Sequence, residues 1–281
     1  MSERYDCTDA AQRATGIVEA ATSLRKGDLV VMPTDTVYGL AADAFSPVAV
    51  ASLLAAKGRG RQMPPPVLVG TVRAATALVE GLNEFGKDLI EEFWPGGLTL
   101  VLRANRGLLW DLGDTKGTVA VRMPLNELAL DLLKETGPLA VSSANRSGAR
   151  PATTAAAAEE QLGDAVAVYL DGGPCPDDVP STIVDLTGPV PRLLRAGVIS
   201  VDRLRQVVTL AVDDDAMEDQ DSALAPADAE PADNVAPPAG DVAPPAGDAA
   251  PPVGDAAPPV EDAVPPRRNS ASPGDDGPAA E

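Results

Sequence analysis

Hydroxyl and carboxylate side chains follow an apolar run near the start of this 281-residue sequence. Thr34, Asp35 and Thr36 come directly after the run Leu29–Met32. The end of a buried strand is where open sheets place their ligands, so these side chains are candidate ligand contacts. A turn in which Thr and Asp cap the backbone would use the same residue types. For this segment alone, both interpretations stay open.

Three cations stand within five residues at the end of an apolar helical pattern. Lys57, Arg59 and Arg61 are separated by single glycines. Cations at a helix C-terminus favour the helix dipole, which would make them a solvated helix end. Their close spacing also predicts a compact positive patch, and an arginine fork binds phosphate oxygens in pairs. A polyphosphate ligand fits this pattern.

Further polar groups interrupt the later apolar segments. Arg122 ends an apolar strand pattern, where a guanidinium must reach solvent or meet an anion. The segment 142–148 changes from a strand to a loop rich in hydroxyl and amide groups. Ser181 opens another strand, and Arg195 stands just before Gly197. The chain has neither a Walker-type nor a GxGxxG fingerprint, so side chains rather than a glycine-rich loop would hold phosphate.

Alternating helical and strand patterns over residues 10–210 must position these groups. Apolar residues at helical spacing predict a helix that ends at Lys26-Gly27, and Ser46 and Thr71 are predicted N-caps. Strand-like runs mostly lack polar alternation, as a sheet covered on both faces requires. The predicted fold class is α/β, a single domain with a twisted, mostly buried mixed sheet flanked by helices. The predicted strands are LVVMP, PVLVG, LTLVLR, TVAVRMP, LAVSS, AVAVYL and STIVDL, and the predicted helices include Thr71–Glu80, Glu127–Glu135, Thr154–Gln161 and Val201–Val208.

Composition divides the chain near residue 210. Residues 211–281 contain 17 acidic residues against two arginines, which accounts for most of the net charge of −20. They also contain 14 of the 28 prolines and a seven-residue repeat that begins at Ala236. Such a segment buries too little apolar surface to offset chain entropy. The sequence therefore predicts a folded domain over residues 1–210 and a disordered acidic tail, rich in Pro, Ala and Asp, over residues 211–281.

Missing and scarce residue types exclude several chemistries. The chain has no histidine, which excludes Ser-His-Asp and Cys-His nucleophiles and histidine metal ligands. Its two cysteines are too few for a zinc site or a disulfide framework, and they fit a reducing compartment. No stretch approaches the ~20 apolar residues of a membrane span. We expect a cytoplasmic protein with no membrane partner.

Seven segments in register resemble the YrdC-like family of threonylcarbamoyl-AMP synthases, and the resemblance covers about residues 10–210. The segments are PTDTVYGL, KGR with a proline-ended turn, WPGGLTLVL, TVAVRMP, SSANRSG, PSTIVDL and LLRAG. The resemblance implies an ATP-dependent nucleotidyltransferase. Such an enzyme joins L-threonine and bicarbonate or CO2 into a carbamate and adenylylates it with release of pyrophosphate. The product, L-threonylcarbamoyladenylate, would serve the downstream machinery that makes N6-threonylcarbamoyladenosine in tRNA.

The resemblance also assigns roles to individual residues. Arg122 would bind the threonine carboxylate, and the other threonine-binding residues would be Thr36, Thr34 and Ser181. Lys57 and Arg59 would act in catalysis by offsetting phosphate charge. The ATP-binding residues would be Lys57, Arg59, Thr118, Ser143, Asn145 and Arg195. The cofactor would be Mg²⁺, carried mainly on the ATP phosphates and not in a protein site for a metal.

The sequence departs from the family pattern at three places. Residues 66–69, the strand after the KxR turn, contain no histidine where many relatives have one. Gly60 stands where the family usually has proline, and Asp35 stands where it more commonly has glutamate. The threonine pocket must therefore be completed by other residue types.

Two other functions compete with the synthase. A non-catalytic double-stranded RNA or tRNA-binding module could bind RNA weakly through Lys57, Arg59, Arg61, Arg122, Arg146, Arg150 and Arg195. The acidic balance of residues 1–210 disfavours it, because nucleic-acid binders usually carry a basic domain. Carbamoyl transfer from carbamoyl phosphate, as in larger maturation enzymes, is disfavoured because the zinc-finger and kinase-like modules found there are missing from this sequence.

Overall fold

The computed structural model, which describes residues 2–176 and 179–212, contains one sheet with helices packed against it. The helices are α1 (Ala10–Lys26), α2 (Pro47–Lys57), α3 (Val72–Leu78), α4 (Glu84–Phe93), α5 (Glu127–Thr136), α6 (Ala155–Leu162) and α7 (Val201–Arg205). The strands are β1 (Glu3–Asp6), β2 (Val30–Met32), β3 (Gly39–Asp43), β4 (Val67–Leu68), β5 (Leu98–Arg103), β6 (Thr118–Arg122), β7 (Leu139–Ser143), β8 (Val168–Asp171), β9 (Thr182–Asp185), β10 (Arg192–Arg195) and β11 (Ala211–Val212). In this described part of the chain, no helix has the length and apolar character needed to span a membrane.

The sheet is mixed. Its strand order is β1-β8-β2-β3-β7-β4-β6-β5-β9-β10-β11. β8 pairs in parallel with β1 and β2, and the pairs β4–β6, β5–β9 and β10–β11 are also parallel. The pairs β2–β3, β3–β7, β7–β4, β6–β5 and β9–β10 are antiparallel. The fold class predicted from the sequence is therefore confirmed.

Side-chain caps set where the helices begin. Ser46 and Thr71, both predicted as N-caps, accept hydrogen bonds from the backbone N–H groups of Ala49 and Ala74. Such a cap satisfies an otherwise unpaired donor of the first turn and contributes about 1 kcal/mol. α2 ends at Gly58, whose φ of 66° lies in the left-handed region that favours glycine. The chain therefore leaves this helix sharply, just before Arg59.

The helices cover the sheet in three groups. α1 and α5 pack together over apolar side chains of β2, β7 and β8. α2 and α6 share a second cluster with Val31, Leu40 and Tyr169. α3, α4 and α7 share a third cluster with the inward side chains of β5, β6 and β9. Because side chains alternate along a strand, the other face of β5, β6 and β9 carries a different set of residues, of which Thr99, Arg122 and Ile183 line the site described below.

Four strands were not predicted from the sequence: β1, β3, β10 and β11. β3 is rich in Gly and Ala, which have low strand propensity, yet it pairs with both β2 and β7. A Cβ on Gly39 would lie 2.6 Å from Cγ1 of Val141, so the small residue allows this close pairing. Tertiary pairing therefore overrides local preference in β3.

Two predicted helices are shorter in the structure. The helix predicted to reach Glu80 ends at Leu78, because Val79 forms a β-bridge with Ala104. The helix predicted over Val201–Val208 ends at Arg205, and the chain continues in turns. β11 lies just past residue 210, where the folded domain was predicted to end, and it pairs with β10. The rest of the predicted tail, residues 213–281, lies outside the described residues.

Candidate active site

A cavity of about 500 Å³ crosses seven neighbouring strands of the sheet. Small-molecule sites usually measure about 300–1,000 Å³. The strand residues in its wall are Gly39 on β3, Val141, Ser142 and Ser143 on β7, Leu68 on β4, Arg122 on β6, Thr99 on β5, Ile183 on β9 and Arg195 on β10. Loop residues between 34 and 38, 59 and 66, 145 and 151, and at 180–181 complete the wall.

Eight of the ten residues predicted for the site line this cavity. They are Thr34, Thr36, Arg59, Arg122, Ser143, Asn145, Ser181 and Arg195. Lys57 lies behind the wall and Thr118 lies elsewhere on β6, as described below. The side chains come from segments that are far apart in the sequence, and the sheet brings them together.

The loop after β2 holds two hydroxyls whose directions follow from their hydrogen bonds. Thr34 donates its one hydroxyl proton to the Val37 carbonyl at 2.6 Å, so Thr36 must donate its own to Thr34 Oγ1 at 3.0 Å. Thr34 Oγ1 also accepts from the Thr36 N–H, which fills both of its lone pairs. Thr36 Oγ1 accepts from Arg122 and keeps one lone pair. Thr36 can therefore accept a hydrogen bond from a ligand, whereas Thr34 supports Thr36.

Arg122 is buried at the end of β6 and held on three sides. Its guanidinium donates from Nε to the Gly96 carbonyl at 2.9 Å, from Nη1 to Thr36 at 3.0 Å and from Nη2 to Asp35 at 2.6 Å. The side chains of Arg122 and Asp35 are 7% and 15% exposed, so this ion pair is largely out of water. Burial lowers the pKa of Arg122, and the Asp35 carboxylate opposes that effect. The same carboxylate oxygen accepts from the Leu125 N–H, so Asp35 braces both Arg122 and the chain that follows it.

Ser181 is held between Arg195 and Thr99. Arg195 donates to the Ser181 carbonyl from Nε at 3.0 Å and from Nη2 at 2.6 Å, and Nη2 also donates to the Ser181 hydroxyl at 3.1 Å. The hydroxyl oxygens of Ser181 and Thr99 lie 2.8 Å apart. This arrangement fixes both the backbone and the side chain of Ser181.

A glycine next to this cluster permits a close backbone contact. A Cβ on Gly197 would lie 2.4 Å from the Pro180 oxygen and 2.5 Å from the Thr182 nitrogen. The backbone of Val198 also donates to the Pro180 carbonyl at 3.1 Å. The position of Ser181 therefore depends on the absence of a side chain at residue 197.

The Lys57 ammonium is buried beneath the loop that follows β7. Its Nζ donates to the Ser143 carbonyl, to the Asn145 carbonyl at 2.7 Å and to Asn145 Oδ1 at 3.1 Å. Lys57 is only 1% exposed. Burial lowers the pKa of Lys57 to about 7, and the positive charge of Arg59 acts in the same direction. The Ser143 hydroxyl oxygen lies 3.4 Å from Nζ as a fourth acceptor, so all three N–H donors have partners and the ammonium holds this loop from behind.

Asn145 extends this support through the loop. Its side-chain amide donates to the carbonyl oxygens of Arg146 at 2.9 Å and Ala149 at 2.6 Å. Both amide protons and the side-chain oxygen therefore have partners inside the protein. Together with Lys57, Asn145 shapes the wall that the loop presents to the cavity.

Arg59 and Arg61 are close in the sequence but have different surroundings. Arg59 lines the cavity and donates to the hydroxyls of Ser147 at 3.1 Å and Ser142 at 3.2 Å. Burial lowers the pKa of Arg59. Arg61 instead forms a bidentate pair with Asp111, with N–O distances of 2.8 and 3.0 Å. The prediction that residues 57–61 form a compact positive patch is therefore wrong, because Arg61 forms an ion pair with Asp111.

Thr118 does not belong to the cavity wall. It lies on the same face of β6 as Arg122 but four residues earlier, which is roughly 13 Å along a strand. Its hydroxyl donates to the Thr115 carbonyl at 2.8 Å. Its contact with ATP stays a prediction.

The sequence reasoning missed Thr99 as a wall residue. Leu98, Leu100 and Leu102 of β5 belong to the core, and Thr99 stands between the first two. This alternation was a usable signal, because it places Thr99 on the face opposite the core. Ser142, the partner of Arg59, lies in the segment 142–148, from which only Ser143 and Asn145 are predicted as site residues.

The cavity combines fixed guanidinium groups with hydroxyls. Guanidinium groups bind carboxylate and phosphate oxygens, and hydroxyls bind amines and alcohols. Over residues 2–176 and 179–212, no group of three or more Cys, Asp or Glu side chains is placed to hold a metal ion. The fold and the site therefore define an α/β protein with a cleft across its sheet, whose guanidinium and hydroxyl groups suit an anionic, polar ligand.

Comparison with known proteins identifies the family. The Sua5/YciO/YrdC family model, described as telomere recombination, matches residues 22–197, and the chain belongs to this family. Threonylcarbamoyl-AMP synthase of Bacillus subtilis (strain 168) is 38% identical over 207 residues, which cover 73% of this chain and 60% of that protein. A Mycobacterium tuberculosis (strain ATCC 25618 / H37Rv) protein, named provisionally as a threonylcarbamoyl-AMP synthase, is 54% identical over 208 residues, which cover 74% of this chain and 96% of that protein.

A solved structure extends the similarity to the fold. The crystal structure of P. abyssi Sua5 complexed with L-threonine matches this chain with a TM-score of 0.67 and 36% sequence identity. The match covers 70% of this chain and 58% of that chain. The present chain therefore spans less than two thirds of the length of P. abyssi Sua5.

Proposed function

We propose that this chain is an L-threonylcarbamoyladenylate synthase. It would join L-threonine, bicarbonate or CO2, and ATP, and release pyrophosphate, as the first step toward N6-threonylcarbamoyladenosine in tRNA. The observation that carries the proposal is the convergence of Thr36, Arg122 and Ser181 with Arg59 and Arg195 on one cavity. The names of the relatives and the L-threonine in the P. abyssi structure support the same function.

The threonine end of the proposed site centres on Arg122. Three of its five N–H donors are used by Gly96, Thr36 and Asp35, which leaves one on each terminal nitrogen among the contacts of the described residues. These two donors would bind the threonine carboxylate. The remaining lone pair of Thr36 suits the N–H of the threonine amino group.

The nucleotide end of the proposed site uses cations from two different elements. Arg59 follows α2, and Arg195 ends β10 on the far side of the cavity. We assign the phosphate contacts to Arg59, Arg195 and the Ser143 hydroxyl. Lys57, which the family resemblance assigned to ATP and to catalysis, acts in this proposal as a positioning residue for the loop that contains Ser143 and Asn145.

The proposed reaction needs no proton acceptor at the attacking oxygen. The neutral threonine amine first adds to CO2 with release of a proton, or to bicarbonate with release of water, and forms a carbamate, which is already ionised. A carbamate oxygen then bonds to the α-phosphorus of ATP, and the bond from that phosphorus to the bridging oxygen breaks as pyrophosphate leaves. The barrier comes mainly from bringing two anions together, so fixed guanidinium groups lower it. A chain without histidine can carry out this chemistry.

Mg²⁺ is proposed to enter with ATP. The described residues offer no metal-binding cluster, and Mg²⁺ is commonly held by substrate phosphates with few protein ligands. When bound there, it would offset part of the phosphate charge. The roles assigned above to Arg59, Arg122 and Thr36 do not depend on its position.

The alternative of an RNA-binding module has less support than the synthase. Of the cations counted for it, Arg61 pairs with Asp111 and Arg122 pairs with Asp35. Lys57 is buried in loop contacts. Fewer of these charges are therefore available to an RNA backbone than the sequence suggested.

The proposed product also defines a partner. A carbonyl group joined to the phosphate of AMP is a reactive mixed anhydride that water hydrolyses. A downstream tRNA threonylcarbamoyl-transfer machinery must therefore consume this product. The cytoplasmic location of the protein stays a prediction.

The experiment that tests the proposal measures pyrophosphate release from ATP, with threonine and bicarbonate omitted in turn. We expect release to require both substrates. Arg59→Ala and Arg122→Ala should each lower kcat/KM by about a hundredfold or more, because a positioned charge contributes about 2.7–4 kcal/mol to the transition state. Arg73→Ala, an exposed arginine on α3, is the matched control and should keep wild-type activity. Release that does not require threonine would contradict the proposal.

A further inference from the structure

Two buried hydroxyls meet in the cavity wall. Thr99 and Ser181 are 1% and 8% exposed, and their hydroxyl oxygens lie 2.8 Å apart. Both residues line the cavity. Among the described residues, the Thr99 hydroxyl forms its hydrogen bond with Ser181. Valine would fill the same space in a buried strand, so packing alone does not explain a hydroxyl at residue 99.

A count of protons and lone pairs shows what this pair can still bind. Two hydroxyls have two protons and four lone pairs between them. Their mutual hydrogen bond, in which either hydroxyl can be the donor, uses one proton and one lone pair, and Arg195 occupies another lone pair, which belongs to Ser181. One O–H donor and two acceptor positions remain. A ligand hydroxyl, which both donates and accepts, matches this remainder.

The neighbouring wall is apolar. Ile183 is the register partner of Thr99 between β5 and β9, and it lines the same cavity. A hydroxyl pair next to an isoleucine side chain is complementary to a branched side chain with one hydroxyl and one methyl. An isosteric ligand with two methyl groups would leave the buried hydroxyls without a partner.

We infer that the Thr99–Ser181 pair selects the side-chain hydroxyl of the amino-acid substrate, with Ser181 as the contact and Thr99 as a positioning residue that orients it. This inference rests on the proposed function, because it takes L-threonine as the ligand of this cavity. It adds Thr99 to the specificity-determining residues, and it makes L-valine the analogue that the site rejects. Rejection is expected to be strong, because a site built to bind a hydroxyl discriminates far better than an apolar pocket does.

The test compares L-threonine, L-valine and L-serine in wild type, Thr99→Val and Thr99→Ser. The readouts are kcat and KM from pyrophosphate release, and direct binding by calorimetry without nucleotide. In Thr99→Val we expect KM for threonine to rise about 3- to 10-fold with kcat nearly unchanged. The preference for threonine over valine should fall by a similar factor or more, whereas the preference for threonine over serine should change little. Thr99→Ser should keep most of the wild-type preference over valine.

A control and a second variant separate this role from a structural one. Thr136→Val removes a partly buried hydroxyl at the end of α5, at a residue that does not line the cavity, and should leave all preferences unchanged. If Thr99→Val does not fold, Thr99→Ser and Ser181→Ala still measure how the preference for threonine over valine depends on the two hydroxyls. Ser181→Ala should lose the preference over valine more completely than Thr99→Val. An unchanged threonine-to-valine ratio in either Thr99→Val or Ser181→Ala would overturn the inference.

The calorimetric arm distinguishes this inference from the proposed function. Wild type that binds threonine more tightly than valine but releases no pyrophosphate would refute the proposed function and leave the selection intact. Wild type that turns over threonine, with a preference that does not depend on Thr99, would refute the selection and leave the function intact. Wild type that binds threonine and valine equally would also overturn the selection.

Discussion

Replacing Lys57 with methionine tests the role of the buried ammonium. The variant keeps an unbranched side chain but loses three hydrogen bonds to Ser143 and Asn145. A buried acceptor left without a donor costs about 1–3 kcal/mol, whereas removing a buried charge offsets part of that loss. We expect Lys57→Met to lower the free energy of unfolding by about 2–4 kcal/mol.

The same substitution should loosen the loop that the ammonium holds. Ser143 and Asn145 line the cavity, so KM for ATP should rise about tenfold or more, an effect of about 1.4 kcal/mol. KM for threonine should change less, because Arg122 and Thr36 keep their contacts. Urea unfolding and pyrophosphate release measure the two effects on one preparation. Lys87→Met, at an exposed lysine on α4, is the matched control and should change neither.

Three combinations of results decide the role of Lys57. Loss of both stability and ATP affinity supports the positioning role. Wild-type stability with weakened ATP binding would mean that Lys57 contacts the nucleotide directly, and the positioning role would be wrong. Wild-type values for both quantities would refute any role of Lys57 in the site.

Three further predictions concern the same region. Burial lowers the pKa of Lys57 from 10.5 to about 7, so between these pH values the unfolded chain binds more protons than the folded chain. Wild-type stability should therefore rise with pH from 7 to 10 relative to Lys57→Met, by at most about 1.4 kcal/mol per pH unit, and a relative fall in urea titrations would contradict this. Gly197→Ala would place a Cβ 2.4 Å from the Pro180 oxygen and shift Ser181, so threonine affinity measured by calorimetry should fall about tenfold, and unchanged affinity would show that this contact is adaptable. Asp35→Asn removes the charge that faces buried Arg122 and should lower the free energy of unfolding by about 2–4 kcal/mol in urea, whereas full stability would mean that the neutral amide is an equivalent brace.

Local chemistry made much of the secondary structure predictable. Ser46 and Thr71 begin helices because their side chains cap the first turn, and Gly27 ends α1 in the left-handed conformation that glycine favours. The polar groups at strand ends could be recognised for a similar reason, because Arg122 interrupts an apolar pattern at the end of β6. Such signals lie within a few residues of the feature they predict.

Long-range partners could not be predicted in this way. Arg61 meets Asp111, which lies 50 residues away in the sequence. Lys57 meets Ser143 and Asn145, which lie 86 and 88 residues away. Whether a cation faces a ligand, a carboxylate or a carbonyl oxygen depends on the order of the strands in the sheet. A local sequence pattern does not predict that order.

The cavity wall takes at least one residue from each of seven adjacent strands, so it exists only when all seven are paired. Its residues run from Thr34 to Arg195, and a growing chain cannot complete the site before β10 has joined the sheet. A bound ligand would connect strands that are otherwise far apart in the sequence. Ligand binding should therefore slow amide hydrogen exchange from β3 to β10 as one cooperative unit.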